Sequence, residues 1–138
     1  MKYEFTGQSK TVNGVKVHQI KRISDGLIGG WIQSELNLDQ DGYCFVYYNA
    51  VVYGDASVSG NASVYDNAWV FDDARVYGNA WVSGDAWVYG NAAVFDDARV
   101  YGNAEVFDDA RVTGNAKVSG NAMVYGNTEV SGNAVITD

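Results

Sequence analysis

Six-residue repeats fill most of the chain and constrain its fold more than any other feature. From Val46, fifteen consecutive hexads follow the consensus Val-x-Gly-Asn/Asp-Ala-x without an insertion, and the last hexad begins at Val130. In the segment Ala-x-Val-x, alternate side chains point to opposite sides, so Ala and Val share one side. Gly-Asn or Gly-Asp then favours a tight corner, because these residues tolerate positive φ. Each hexad is therefore predicted to form one short strand and one corner.

Three such corners close a triangle, so one coil takes 18 residues. Fifteen hexads predict about five triangular coils, stacked over about 24 Å at about 4.8 Å per coil. The Val and Ala stacks would fill the interior and form the core. The predicted fold class is all-β, with a single-stranded parallel β-helix over residues 46–138.

The first 45 residues have a different pattern and are predicted to form a separate cap. Residues 2–11 and 15–23 alternate polar and apolar side chains around Asn13-Gly14, which is typical of a β-hairpin. A segment rich in turn-forming residues follows at 26–42. Because an open β-helix end exposes unpaired strand edges, we expect residues 1–45 to cap the first coil.

The repeat resembles that of the hexapeptide-repeat left-handed β-helix superfamily, in which an aliphatic residue is followed four places later by a small one. Val52/Ala56 satisfies this rule, as do the other pairs through Val130/Ala134, except that Thr128 replaces Ala after Val124. The resemblance implies left-handed coils, and proteins of this superfamily are commonly trimers.

The segment Gly-Gly-Trp-Ile-Gln-Ser-Glu-Leu-Asn-Leu at 29–38 resembles the head region of bacterial and phage- or prophage-encoded hexapeptide-repeat proteins described as acetyltransferase-like. The resemblance implies a phage or prophage setting and no established activity.

The N-terminus has no apolar signal-peptide core, and no apolar stretch approaches the roughly 18 residues that a membrane helix needs. We therefore expect no membrane association and a cytoplasmic location, in the host cell if the protein is phage-encoded.

The net charge of −8 comes entirely from residues 46–138. Residues 1–45 carry five basic and five acidic side chains, whereas residues 46–138 carry four basic and twelve acidic ones. Binding to a nucleic-acid backbone needs clustered positive charge, so no nucleic-acid partner is expected.

The 18-residue coil sorts the outward side chains onto three faces. The first face carries Val51, Tyr53, Trp69, Phe71, Trp87, Tyr89, Glu105, Phe107, Met123 and Tyr125. The second face carries Ser57, Ser59, Arg75, Tyr77, Ala93, Phe95, Arg111, Thr113, Glu129 and Ser131. The third face carries Phe45, Tyr47, Ser63, Tyr65, Trp81, Ser83, Arg99, Tyr101, Lys117, Ser119, Val135 and Thr137.

Only the first face is continuously apolar, and monomers rarely expose such a strip. Its nine apolar residues are therefore predicted interface or binding residues. Three alternatives remain open for what covers them: the N-terminal hairpin, a second or third copy in a homo-dimer or trimer, or a different partner. Self-association is favoured, because aromatic residues and Met are enriched at interface cores.

Four cations are candidate ligand contacts: Arg75, Arg99, Arg111 and Lys117. Together with aromatic side chains between subunits, they could hold an anionic or nucleotide-like small molecule by stacking and charge.

Evidence for catalysis is weak. Hexapeptide-repeat acyltransferases typically use a histidine base and interrupt their coils with a loop, but His18 is the sole histidine and lies in the predicted hairpin. No catalytic residue and no cofactor are predicted.

Three acidic pairs, at 72–73, 96–97 and 108–109, raise the question of calcium. Each pair precedes an arginine (Arg75, Arg99 or Arg111), so we expect local ion pairs and no metal site.

The sequence thus favours a non-catalytic oligomeric binding protein, such as a phage inhibitor of host defence that binds a host protein or sequesters a small anionic ligand. An acyl-CoA-dependent acyltransferase-like enzyme and a structural scaffold module are the alternatives.

Overall fold

Three sheets form the sides of a triangular solenoid in the computed structural model, which describes residues 1–138. The chain begins with β1 (Tyr3–Val12), β2 (Val15–Arg22) and β3 (Ile28–Ile32), and a short 3-10 helix follows at Glu35–Asn37. Every later strand is two residues long, in chain order β4 (Phe45–Val46), β5 (Val51–Val52), β6 (Ser57–Val58), β7 (Ser63–Val64), β8 (Trp69–Val70), β9 (Arg75–Val76), β10 (Trp81–Val82), β11 (Trp87–Val88), β12 (Ala93–Val94), β13 (Arg99–Val100), β14 (Glu105–Val106), β15 (Arg111–Val112), β16 (Lys117–Val118), β17 (Met123–Val124), β18 (Glu129–Val130) and β19 (Val135–Ile136).

The pairing order confirms a parallel β-helix. The first face lies on the sheet β1-β2-β3-β5-β8-β11-β14-β17, the second on β6-β9-β12-β15-β18, and the third on β4-β7-β10-β13-β16-β19. Within the repeats each residue pairs in parallel with the residue 18 positions later, as Val82 does with Val100. Equivalent side chains therefore stack in columns along the solenoid axis.

The corners form at the third position of each hexad, as predicted. This residue has a positive φ in all fifteen hexads; ten are glycines, four are aspartates, and one is Tyr48 with a φ of 57°. At Gly90 an added Cβ would lie 2.9 Å from the backbone nitrogen of Asp108 in the next coil. Tight stacking of the corners thus explains why glycine dominates this position.

The columns of Val and Ala fill the interior as a single core of 34 buried residues. The anchor valines from Val46 to Val118 are at most 1 % exposed, and exposure rises to only 6 % at Val130. The repeat therefore builds one continuous apolar core from small side chains.

The solenoid has about six coils, one more than the hexads predict, because the coiling begins at Ile28. Ile32 of β3 pairs in parallel with Val52, and Leu38 forms a parallel bridge to Val58. Leu38 lies six residues after Ile32, but Val46 lies eight residues after Leu38, two more than a hexad. Much of the predicted cap is therefore itself a coil.

The hairpin predicted around Asn13-Gly14 is confirmed and forms the N-terminal end of the first sheet. β1 pairs antiparallel with β2, and β2 pairs antiparallel with β3, with His18 opposite Ile32. No helix in the structure has the length and apolar character needed to span a bilayer.

Candidate functional site

The hairpin covers the N-terminal end of the first face. Val17 is fully buried and packs with Val51 and Tyr53, which are 1 % and 7 % exposed. The side-chain amide of Asn13 donates a hydrogen bond to the Tyr53 hydroxyl at 3.1 Å. Val51 and Tyr53 are therefore contacted within the chain and have no surface left for a partner.

The remainder of the first face is a stacked aromatic surface. The rings of Tyr53, Phe71, Tyr89, Phe107 and Tyr125 form one column, with centroids 4.9 to 5.5 Å apart and planes within 15° of parallel. Trp69 and Trp87 form a second column with centroids 5.2 Å apart. Stacking covers the faces of most of these rings, so that Trp69, Phe71, Tyr89 and Phe107 are half-buried.

The exposed part of this surface lies towards the last coils. Trp87 is 38 % exposed, and Met123 and Tyr125 are more than half exposed. We call the surface from Trp69 to Tyr125 the uncovered strip. It contains seven of the nine predicted interface residues.

The one charge on the first face, Glu105, accepts a hydrogen bond within the face. The Tyr89 hydroxyl donates to Glu105 Oε1 at 2.9 Å. Burial, and next this hydrogen bond to a carboxylate, raise the pKa of Tyr89 to about 12.

A groove runs along the third face and consists of two adjoining clefts. We call the first the aromatic slot; it has a volume of about 200 Å³ and is lined by Tyr47, Tyr48, Ser63, Tyr65 and Trp81. We call the second the cationic slot; it has a volume of about 220 Å³ and is lined by Tyr65, Trp81, Ser83, Arg99, Tyr101 and Lys117. Tyr65 and Trp81 line both, so the two slots adjoin at these two rings.

The cationic slot places two of the predicted ligand contacts side by side. Arg99 and Lys117 are register partners on adjacent strands, β13 and β16, and both are exposed. The Arg99 guanidinium lies over the Trp81 ring, 4.5 Å from its centroid. Neither cation forms an ion pair, and no acidic side chain lines the slot.

The other two predicted contacts lie on the second face. Arg75 and Arg111 flank Ala93 in register, two coils apart. Both are exposed, but neither lines a cleft. The structure thus brings together Arg99 and Lys117 and separates them from Arg75 and Arg111.

The acidic pairs do not form the predicted ion pairs with their neighbouring arginines. Instead, Asp66, Asp72, Asp96 and Asp108 occupy corners at positive φ, and each carboxylate accepts a hydrogen bond at 3.1 Å from a glycine N–H one coil further on. Aspartate tolerates this conformation and supplies an acceptor for the next corner. The first aspartate of each pair is therefore explained by bonding to the backbone of the next coil.

A further cleft lies at the N-terminal end, and its cations are already bonded within the chain. Lys2 Nζ donates to the carbonyl oxygens of Asp41, Gly42 and Cys44, the last at 2.6 Å. Arg22 forms an ion pair with Asp25 at 2.7 Å. Lys2 therefore holds the segment between Leu38 and Val46, and Arg22 holds the turn between β2 and β3.

His18 lies in the hairpin, where its ring stacks on Phe5 with centroids 4.8 Å apart. No three His, Cys, Asp or Glu side chains are grouped as a metal site would require.

The repeat register places Tyr47, Tyr65, Trp81 and Tyr101 on the third face and Tyr48 at a corner, but it does not indicate that these residues form a site. Tyr48 departs from the repeat consensus, because it is the only residue other than Gly or Asp at the third position of a hexad, and this departure is visible in the sequence.

Comparison with protein-family models finds a match to the family described as YdcK beta solenoid repeat, over residues 68–84, 74–90 and 116–128. These segments cover about a quarter of the chain and lie in its regular coils. No curated protein matches the chain. The family match and the strand pairing agree on a β-solenoid repeat.

Proposed function

We propose that this protein is a non-catalytic binding protein whose copies associate through the uncovered strip. The observation that carries the proposal is an apolar, ring-stacked surface that packs against the hairpin cluster at Trp69 and Phe71 and is open from Trp87 to Tyr125. A chain with a net charge of −8 repels its own copies, so association is favoured at its least charged face. The first face carries one charge, Glu105, and Tyr89 already bonds it.

Two features favour binding over acyl transfer. The single histidine is stacked in the hairpin on Phe5, away from any cleft. The regular coils follow one another from Val46 to Ile136, so they lack the loop excursion with which acyltransferases of the hexapeptide-repeat superfamily shape an acceptor pocket.

The head segment at 29–38 supports a biological setting for this binding. Its resemblance to phage- and prophage-encoded hexapeptide-repeat proteins favours a protein that acts in the host cytoplasm. The separate resemblance of the repeat to the hexapeptide-repeat superfamily implies a left-handed β-helix of a kind that is commonly trimeric. In that setting, sequestration of a small anionic ligand would inhibit a host process without catalysis.

Native mass spectrometry of the intact chain tests the association. We expect a dimer or trimer, and we expect the double variant Trp87→Ser, Tyr125→Ser to be monomeric, because both side chains are exposed on the strip. Trp81→Ser is the matched control: Trp81 is 41 % exposed on the third face, close to the 38 % of Trp87, and its loss should leave the mass unchanged. A monomeric wild-type protein, or an oligomer that survives the double variant, would contradict the proposal.

A further inference from the structure

The corner at Tyr48 departs from the rule that the other hexads follow. Tyr48 has a φ of 57° and is 67 % exposed, so neither backbone freedom nor burial explains its presence. A bulky side chain in the left-handed region is rare, and strained residues of this kind cluster at ligand sites. Its side chain forms part of the wall of the aromatic slot.

The rings of the aromatic slot are arranged differently from those of the first face. Tyr65 and Trp81 meet edge to face, with planes 77° apart, and Tyr47 and Tyr48 are tilted by 43° with centroids 6.3 Å apart. These rings therefore do not cover one another's faces, and only Trp81 carries a cation, Arg99, over its ring. Ser63, a small residue between them, leaves room for a flat ring.

The cationic slot next to it is suited to an anion. Arg99 presents a planar fork of donors, and Lys117 adds an ammonium from the next coil. A surface that is acidic elsewhere gains a local positive site here, because no carboxylate lines the slot.

The spacing of the two slots specifies the length of the ligand. Ser63, Trp81 and Arg99 are register partners on adjacent strands, so Arg99 lies two coils, about 10 Å, from Ser63 at the floor of the aromatic slot and one coil from Trp81. We propose that the groove binds a nucleotide, with its base in the aromatic slot and its phosphate between Arg99 and Lys117. This inference rests on the proposed binding function and names its ligand class, but every contact lies within one chain.

Four probes of the wild-type protein separate the parts of this proposal in calorimetric titrations. AMP has both a base and a phosphate at nucleotide spacing; adenosine lacks the phosphate, inorganic phosphate lacks the ring, and phenyl phosphate has both but is too short to reach both slots. We expect AMP to bind at least about tenfold more tightly than each of the others. Absence of AMP binding, or equal binding of any one of the other three, would overturn the proposal.

Variants that remove one charge each test where the phosphate binds. We expect Arg99→Ala and Lys117→Ala each to weaken AMP binding by about tenfold, since each removes a charged hydrogen-bond donor. Arg111→Ala is the matched control, an exposed arginine on the second face that lines no cleft. An equal loss in all three variants would mean that only net charge matters and would overturn the site.

Tyr48→Gly distinguishes a binding role from a structural one. Glycine is the usual residue at this corner, so the variant should unfold at a higher urea concentration while binding AMP more weakly. Unchanged AMP binding would remove Tyr48 from the site and contradict the aromatic slot.

Trp87→Ser, Tyr125→Ser separates this inference from the association proposed above. Its monomers should bind AMP as the wild type does. If they lose AMP binding, the site is not contained in one chain and the inference fails, whereas an oligomer that does not bind AMP would defeat the inference and leave the association standing.

Discussion

The aspartates at the corners show how a residue other than glycine can occupy a position with positive φ and offset the strain of its backbone. Asp72 has a φ of 58°, a conformation that costs most residues about 1–2 kcal/mol. Its carboxylate accepts a hydrogen bond from the N–H of Gly90, which contributes about 1 kcal/mol. At this position the side chain therefore offsets the strain of its own backbone.

Asp72→Ala should lower the free energy of unfolding by about 1–2 kcal/mol, because alanine keeps the strain and lacks the acceptor. Asp72→Gly removes both the strain and the hydrogen bond and should stay within about 1 kcal/mol of the wild type. Urea unfolding measures both. Asp73→Ala, which deletes the same charge from a side chain with no hydrogen bond, is the control; if Asp73→Ala costs as much as Asp72→Ala, the bond to Gly90 is not the cause.

Pairs of neighbouring strands create contacts that no single hexad contains. Tyr89, just after β11, reaches Glu105 at the start of β14, one coil further on. The raised pKa of Tyr89, about 12, means that the folded state holds the phenol proton more tightly than the unfolded chain. The stability from this difference is complete below pH 10, the ordinary value, and is lost as the pH rises towards 12.

Glu105→Gln should lower the pKa of Tyr89 but not restore the ordinary value, because burial is the larger cause of the shift. Absorbance titration of tyrosinate, compared with the wild type, would show one tyrosine ionising at lower pH. Glu129→Gln removes an equal charge from the second face and should leave the titration unchanged. Identical curves for Glu105→Gln and the wild type would show that the carboxylate does not act on Tyr89.

The elements also show what local sequence can and cannot predict. The strands and corners after Val46 follow from six-residue patterns, so the fold and the three faces could be derived from the sequence. The first coil was missed because the spacing from Leu38 to Val46 exceeds a hexad by two residues. The groove was missed for a different reason: its concavity depends on how the side chains of Tyr48, Trp81 and Arg99 are oriented, which register alone does not determine. Handedness stays a prediction from resemblance.

At the scale of the whole molecule, the solenoid is a nearly one-dimensional array. Outside the hairpin and first coil, each strand pairs only with the strands 18 residues before and after it. In such an array, stability is approximately the sum of the stabilities of single coils and the contacts between neighbours. A destabilising substitution in one coil should therefore lower the stability of the adjacent coils and have little effect on more distant ones.

Two pairs of identical substitutions on the third sheet test this. Val82 and Val100 are register partners in adjacent coils, whereas Val64 and Val118 lie three coils, about 14 Å, apart in the same column. The double variant Val64→Ala, Val118→Ala should lower the free energy of unfolding, measured in urea, by the sum of the losses in its two single variants, within about 0.5 kcal/mol. The loss in the double variant Val82→Ala, Val100→Ala should be smaller than the sum of its two single losses by more than about 0.5 kcal/mol. The contact between these two side chains can be lost only once. Strict additivity in both pairs would mean that neighbouring coils are not coupled through their valine columns, and that the ladder hydrogen bonds alone hold one coil to the next.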